Sequence, residues 1–87
     1  GDMRRWLAEA VRTIDPSLSI HDLRMVPGVN HTNIIFDCVT PSGFAMSSAR
    51  LKEAIAQLVS EKDPNYRCVI TVDTSFAAVP CAGEAVQ

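Results

Sequence analysis

Two strand-like segments joined by a short turn constrain the fold of this 87-residue chain most strongly. Residues Leu18–Val26 and Asn30–Thr40 are rich in apolar and β-branched side chains, and the Pro27-Gly28 pair between them is typical of a turn. Strands so closely joined along the chain are expected to pair as an antiparallel hairpin. The segments on either side of this hairpin must then supply the cover for its apolar face.

Helical periodicity flanks the hairpin on both sides. From Met3 to Ile14 the apolar residues fall on one face at helical spacing, and Asp15-Pro16 ends the pattern because proline cannot continue a helix. A second helix is predicted from about Ser47 to Glu61, with Ser47 or Ser48 as its N-cap. Asp63-Pro64 ends that helix in the same way.

A third strand completes the order of elements. Tyr66–Ser75 is rich in β-branched residues. In an α-β-β-α-β order, the strand-helix-strand unit crosses over right-handedly and leaves its two strands parallel. The sequence therefore predicts an α+β, ferredoxin-like fold, with both helices on one face of a three-stranded mixed sheet. We expect residues 1–76 to form the domain and residues 77–87, which lack periodicity, to form a loosely ordered tail.

Composition excludes several classes of protein. With 47% hydrophobic residues and a net charge of -2, the chain can build a core but offers no basic face for nucleic acid. No apolar run reaches the roughly 18–20 residues of a transmembrane helix, and the N-terminal GDMRRW lacks the apolar stretch of a signal peptide, so we expect a soluble segment. Cys38, Cys68 and Cys81 show no CxxC spacing and are expected to be reduced residues of a cytosolic domain.

The second strand indicates a missing cover. Between Ile34 and Val39 its apolar residues fall on both faces, which is typical of a strand that is covered from both sides. Two helices cover one face, so we expect another subunit or another domain to cover the other. The start of the chain inside an amphipathic helix, after a Gly1 that resembles a cloning remnant, is interpreted as the start of a piece of a longer protein.

Ionisable residues far from the turn are candidate metal ligands. If the numbers of paired residues sum to about 58, Val26 faces Thr32 and His21 faces Asp37, with Cβ atoms about 4.5–5.5 Å apart. Asp73 reaches the same edge of the sheet if the third strand runs parallel to the second. One imidazole and two carboxylates suit a divalent ion such as Zn²⁺. The open alternative is a hydrogen-bonded His–Asp pair on the sheet surface.

Other functions have less support in the sequence. His31 stands beside the turn and is expected to face solvent. No nucleophile–base pair, glycine-rich phosphate loop or HExxH motif is present, so we do not expect an enzyme. An acylphosphatase-like enzyme would need an Arg in a phosphate-binding loop beside an Asn, and the turn offers Asn30 without that Arg. A free metallochaperone or a small-ligand regulatory module of the same shape remains an alternative.

Four stretches of the sequence resemble the cytoplasmic C-terminal domain of the cation diffusion facilitator family of metal transporters. They are IDPSLSIHDLRMVPG, HTNIIFDCVTP, SARLKEAIAQLV and CVITVD, and the likeness runs from about Met3 to Thr74. The resemblance implies a metallochaperone-like α-β-β-α-β fold in a V-shaped homodimer. It also implies a place at the cytoplasmic face of the cell membrane, continuous with a membrane domain that exchanges Zn²⁺ or related ions for protons.

The resemblance also implies a ligand set. The family's regulatory metal ligands fall on His21 of the HDLR stretch, on Asp37 and on Asp73. Arg50 and Thr71 stand where one well-studied type has further histidines, so a single site is expected rather than a binuclear one. The ion that is transported is not identified by this domain, because selectivity resides in the membrane helices.

Overall fold

The computed structural model describes residues 1–75, which form the predicted order of two helices and three strands. The elements are α1 (Asp2–Ile14), β1 (Ser19–Pro27), β2 (Thr32–Pro41), α2 (Ser48–Lys62) and β3 (Tyr66–Ser75). The predicted C-terminal tail, residues 77–87, lies outside the described residues, as does residue 76.

Local chemistry sets the ends of the helices. Ser47, rather than Ser48, is the N-cap of α2, and its hydroxyl accepts a hydrogen bond of 3.2 Å from the Arg50 backbone N–H. Both helices end where an aspartate before a proline, Asp15 or Asp63, adopts an extended backbone. Within residues 1–75, neither helix is both long and apolar enough to span a membrane.

The sheet has the predicted mixed topology. Its strand order is β1-β2-β3, with β1 antiparallel to β2, and β2 parallel to β3 through the crossover helix α2. The predicted α+β fold is therefore confirmed.

One core joins the helices to one face of the sheet. Its fully or nearly fully buried side chains come from α1, α2, β2, the start of β1 and the residue just before β1, and they are Leu7, Val11, Leu18, Ile20, Ile34, Phe36, Cys38, Leu51, Ile55 and Val59. Burying a large aliphatic or aromatic side chain contributes about 1.5–3 kcal/mol. Along β2 the even-numbered residues from Ile34 to Thr40 are buried under the helices, while the odd-numbered residues are half-buried on the opposite face. We call that opposite face the open face.

The hairpin register differs from the prediction near the turn. Val26 pairs with Asn33, and Pro27 rather than Val26 pairs with Thr32, because the Gly28 N–H donates to the His31 carbonyl oxygen at 2.8 Å and closes a longer turn than expected. Gly28 is needed there, since a Cβ at this position would lie 2.8 Å from that oxygen. The pairing of Val26 with Thr32 was wrong by one residue.

Candidate functional site

A β-bulge restores the predicted register at the far end of the hairpin. His21 pairs with Asp37, and Arg24 pairs with Ile35, so two residues of β1 oppose one residue of β2 between these pairs. Asp22, the first bulged residue, has φ 57, the left-handed conformation in which Asp is better tolerated than most residues. The predicted opposition of His21 and Asp37 on the open face is therefore confirmed.

Asp73 lies on the same face, one row further along. Thr71 of β3 is the partner of Asp37, and Asp73 is the partner of Val39. On the other side of β2, Ser19 is also the partner of Val39, and its hydroxyl oxygen lies 3.4 Å from Nε2 of His21. The parallel sheet thus brings all three predicted ligands into two adjacent rows at one end of the open face.

Negative charge is concentrated around Asp37. Burial raises the pKa of the Asp37 carboxyl, a hydrogen bond with the Asp22 carboxyl raises it further, and so do the charges of Asp73 and Asp22. Arg24 opposes this rise in pKa. The carboxyl groups crowd one another, and a cation placed among them would relieve the repulsion.

The side chains of His21, Asp37 and Asp73 are of the right chemical types to bind a divalent ion, but their positions in the structure do not form a site for one. Imidazole and carboxylate oxygens are ligands of Zn²⁺ and related ions. However, within residues 1–75 no group of three or more His, Cys, Asp and Glu side chains is gathered closely enough to hold a metal ion. The ligand set His21, Asp37 and Asp73 remains a prediction that would require side-chain rearrangement.

Asp22 is not among the candidate site residues predicted from the sequence. In the structure, Asp22 and Arg24 both lie beside Asp37 and line a cleft of about 540 Å³ with Leu23. No signal in the sequence indicates the bulge: the residue-number sum at the turn, one higher than that of the His21–Asp37 pair, is visible only in the observed pairing.

The remaining candidates lie elsewhere. His31 is exposed, as predicted, and it lies within the turn, where its carbonyl oxygen accepts the closing hydrogen bond from Gly28. Cys38 is buried and Cys68 is half-buried, both thiols are free, and burial raises the pKa of each. These two cysteines therefore belong to the core or its margin, whereas Cys81 lies outside the described residues.

Comparison with known proteins finds a likeness in structure. No protein-family model and no curated protein matches the sequence. A solved structure of the protein CzrB, described as a candidate zinc transporter, superimposes with a TM-score of 0.72 at 21% identity, over 85% of this chain and 89% of that chain. This likeness concerns the fold, and it confirms the architecture implied by the resemblance to the cytoplasmic domain of cation diffusion facilitators.

Proposed function

We propose that this chain is the cytoplasmic regulatory and dimerisation domain of a zinc-type cation/proton antiporter of the cation diffusion facilitator family. The observation that carries the proposal is the placement of His21 across from Asp37, with Asp73 in the adjacent row of the same face. The four family-like stretches of sequence and the fold shared with CzrB support it.

In this proposal His21, Asp37 and Asp73 hold one divalent ion, most simply Zn²⁺. Burial is the main cause of the raised Asp37 pKa, and the charges of Asp73 and Asp22 add to it; a bound cation offsets this added repulsion, and the imidazole contributes a neutral ligand. The three side chains come from three different strands. Metal binding would therefore add a link among the three strands to their backbone ladder and shared core.

The proposed partner of the domain is a second copy of itself. Val26 and Val69 on the open face are 46% and 50% exposed, so apolar side chains there lack full cover. A homodimer that meets along the β3 side of the sheet would reduce the exposure of Val69, and metal occupancy would tune transport by changing how the two copies meet. Divalent cations are the other proposed partners, and no nucleic acid is expected.

The proposed location is the cytoplasmic face of the cell membrane, with covalent continuation into a transmembrane domain. The residues that precede Met3 in the complete gene test this directly. Apolar segments of about 20 residues there would support the transporter, whereas their absence would favour a free metallochaperone or small-ligand module.

Calorimetric titration with Zn²⁺ tests the ligand set. We expect the wild-type domain to bind Zn²⁺ and the His21→Ala and Asp73→Asn variants to bind it at least tenfold more weakly. His31→Ala is the matched control, because it removes the other histidine from an exposed turn and should leave affinity unchanged. Equal affinity in wild type and His21→Ala would show that the site is misplaced.

A further inference from the structure

The outer edge of β3 is unprotected against pairing with another strand. Both β1 and β3 are edge strands of the sheet. β1 carries a bulge at Asp22 and ends in Pro27, two features that discourage edge-to-edge pairing. β3 runs for 10 residues without Pro or Gly, and its ladder with β2 is unbroken. By this comparison β3 is the edge open to a partner.

The backbone groups at this edge can be assigned from the ladder. The Thr32 N–H donates to the Asn65 carbonyl oxygen at 2.9 Å. In a parallel ladder, odd-numbered residues of β3 therefore bond to β2, and even-numbered residues from Tyr66 to Thr74 point their N–H and C=O groups outward. Among residues 1–75 no strand pairs along this edge.

Apolar side chains along the same edge are only half covered. Cys68, Ile70 and Val72 lie on the helix-covered face but are half-buried, whereas their β2 neighbours Ile34 and Phe36 are fully buried. A strand added outside β3 would continue the sheet beneath the helices. It would cover these three side chains as well as their backbone groups.

The sequence of β3 is complementary to itself in the antiparallel direction. Arg67 lies three residues before Ile70, and Asp73 lies three residues after it. With Ile70 opposite Ile70, Arg67 faces Asp73 of the second copy, and twofold symmetry makes this pair twice. If the second strand is shifted by two residues in either direction, the outward N–H and C=O groups still pair. Arg67 and Asp73 then face uncharged residues.

We propose that β3 pairs antiparallel with β3 of a second copy, centred on Ile70, and joins two three-stranded sheets into one. This inference rests on the proposed homodimer and names the surface through which the copies meet. In this register the even-numbered residues, whose N–H and C=O groups point outward, face one another and can form hydrogen bonds. Arg67 and Asp73 occupy the non-hydrogen-bonded positions, where the side chains of opposed residues are closest. The helices of both copies lie on the same face of the joined sheet.

The charges of β3 indicate that the strand pairing with its outer edge is β3 of a second copy. An antiparallel partner strand can pair with both Arg67 and Asp73 only if its own chain has a base followed six residues later by an acid. A second β3 supplies this pattern. Like charges in opposed positions would disfavour an unrelated strand.

Charge reversal in metal-free, chelator-treated protein tests the pairing. Arg67→Asp places two aspartates opposite each other, and Asp73→Arg does the same with two arginines. We expect each variant to raise the dimer dissociation constant, measured by sedimentation, by about tenfold or more. An equimolar mixture of the two variants should form a heterodimer with near wild-type affinity, because both opposed pairs then carry opposite charges.

Arg5→Asp is the matched control. It makes the same change of charge on the exposed surface of α1, which packs against β1 rather than β3, so the dimer should keep its affinity. Hydrogen exchange of the wild-type protein tests the backbone bonds without any substitution. The amides of Cys68, Ile70 and Val72 should exchange more slowly as protein concentration rises, whereas those of Val69 and Thr71, already bonded to β2, should not depend on concentration.

The outcomes separate this inference from the proposed function. If the wild-type domain sediments only as a 9.5 kDa species at micromolar concentration, the proposed homodimer and the β3 pairing both fail. If it is a dimer whose affinity is unchanged by Arg67→Asp and by Asp73→Arg, or falls equally with Arg5→Asp, the β3 pairing is overturned and the homodimer stands. Loss of affinity in both β3 variants with recovery on mixing supports the pairing.

Discussion

His21 and Asp37 face each other across β1 and β2 because two residues of the bulge, Asp22 and Leu23, together oppose one residue of β2. Without the bulge, the register set by the turn would place these two side chains on opposite faces of the sheet. The candidate site thus depends on the β-bulge at Asp22, four residues before Val26 near the turn.

The first prediction concerns the backbone of Asp22. Its φ of 57 disfavours β-branched residues, so Asp22→Val should lower the free energy of unfolding by about 1–2 kcal/mol. Asp22→Asn removes the same charge but keeps a side chain that tolerates this conformation, and it should cost little. Urea denaturation measures both variants. Equal losses would show that the charge, rather than the conformation, determines the effect.

A second prediction concerns the pH dependence of stability. Because the pKa of Asp37 is raised, the folded state holds a proton more tightly than the unfolded state, and stability falls as pH rises through the raised pKa. Asp37→Asn should therefore be more stable than wild type at neutral pH, and this advantage should disappear in acid.

Asp15→Asn supplies a control of opposite sign. Hydrogen bonds from the Ser17 side chain and backbone lower the pKa of Asp15, so its ionised form stabilises the fold above the ordinary pKa and this contribution is lost as pH falls. Asp15→Asn should therefore be less stable than wild type at neutral pH. Unfolding curves from about pH 7 down to about pH 3 test both variants. If Asp37→Asn is also destabilised at neutral pH, the account of crowded carboxyl groups is wrong.

Lys62 and Trp6 provide a third prediction, about how the two helices hold together. The Lys62 Nζ lies 4.7 Å from the centroid of the Trp6 ring, which links the end of α2 to α1. Lys62→Gln should lower the free energy of unfolding by about 0.5–1 kcal/mol, whereas Lys62→Arg keeps the cation and should preserve it. Similar losses in thermal or chemical unfolding of both variants would argue against a cation–π contribution.

The fourth prediction is that the domain has no turnover on phosphate esters, acyl phosphates or peptides. The expectation rests on the lack of a recognised catalytic motif in the sequence. Activity that copurifies with the protein and disappears with Asn30→Ala would overturn it.

The fold was predictable because its signals are local. Apolar periodicity and the aspartate-proline stops defined both helices, and β-branched runs defined the strands. The limits of the hairpin were less accessible: the predicted second strand began at Asn30, but Asn30 and His31 lie in a turn closed by the Gly28–His31 hydrogen bond.

The site was predictable only in part. The opposition of His21 and Asp37 followed from hairpin pairing, yet that pairing is correct only because a bulge compensates for the longer turn. The proximity of Asp22 to Asp37 depends on a left-handed backbone that the sequence allows but does not require. Side-chain positions at such a site depend on these tertiary details rather than on residue spacing.

Asp73 connects the two proposals. It belongs to the predicted metal ligands and also to the predicted ion pair between two copies of β3. A carboxylate engaged by a metal ion interacts less with Arg67 of the second copy, so metal binding and β3 pairing should influence each other. A tenfold difference in metal affinity between two arrangements of the dimer corresponds to about 1.4 kcal/mol.

The distance between spin labels on the two copies tests the central claim most directly. A label at Ser60→Cys, exposed on α2, can be placed after Cys68 and Cys81 are replaced by serine. We predict that Zn²⁺ changes the inter-subunit distance in this protein and leaves it unchanged when His21→Ala is added. A distance that does not respond to Zn²⁺ at saturating occupancy would contradict the sensing role, even with the ligands correctly assigned.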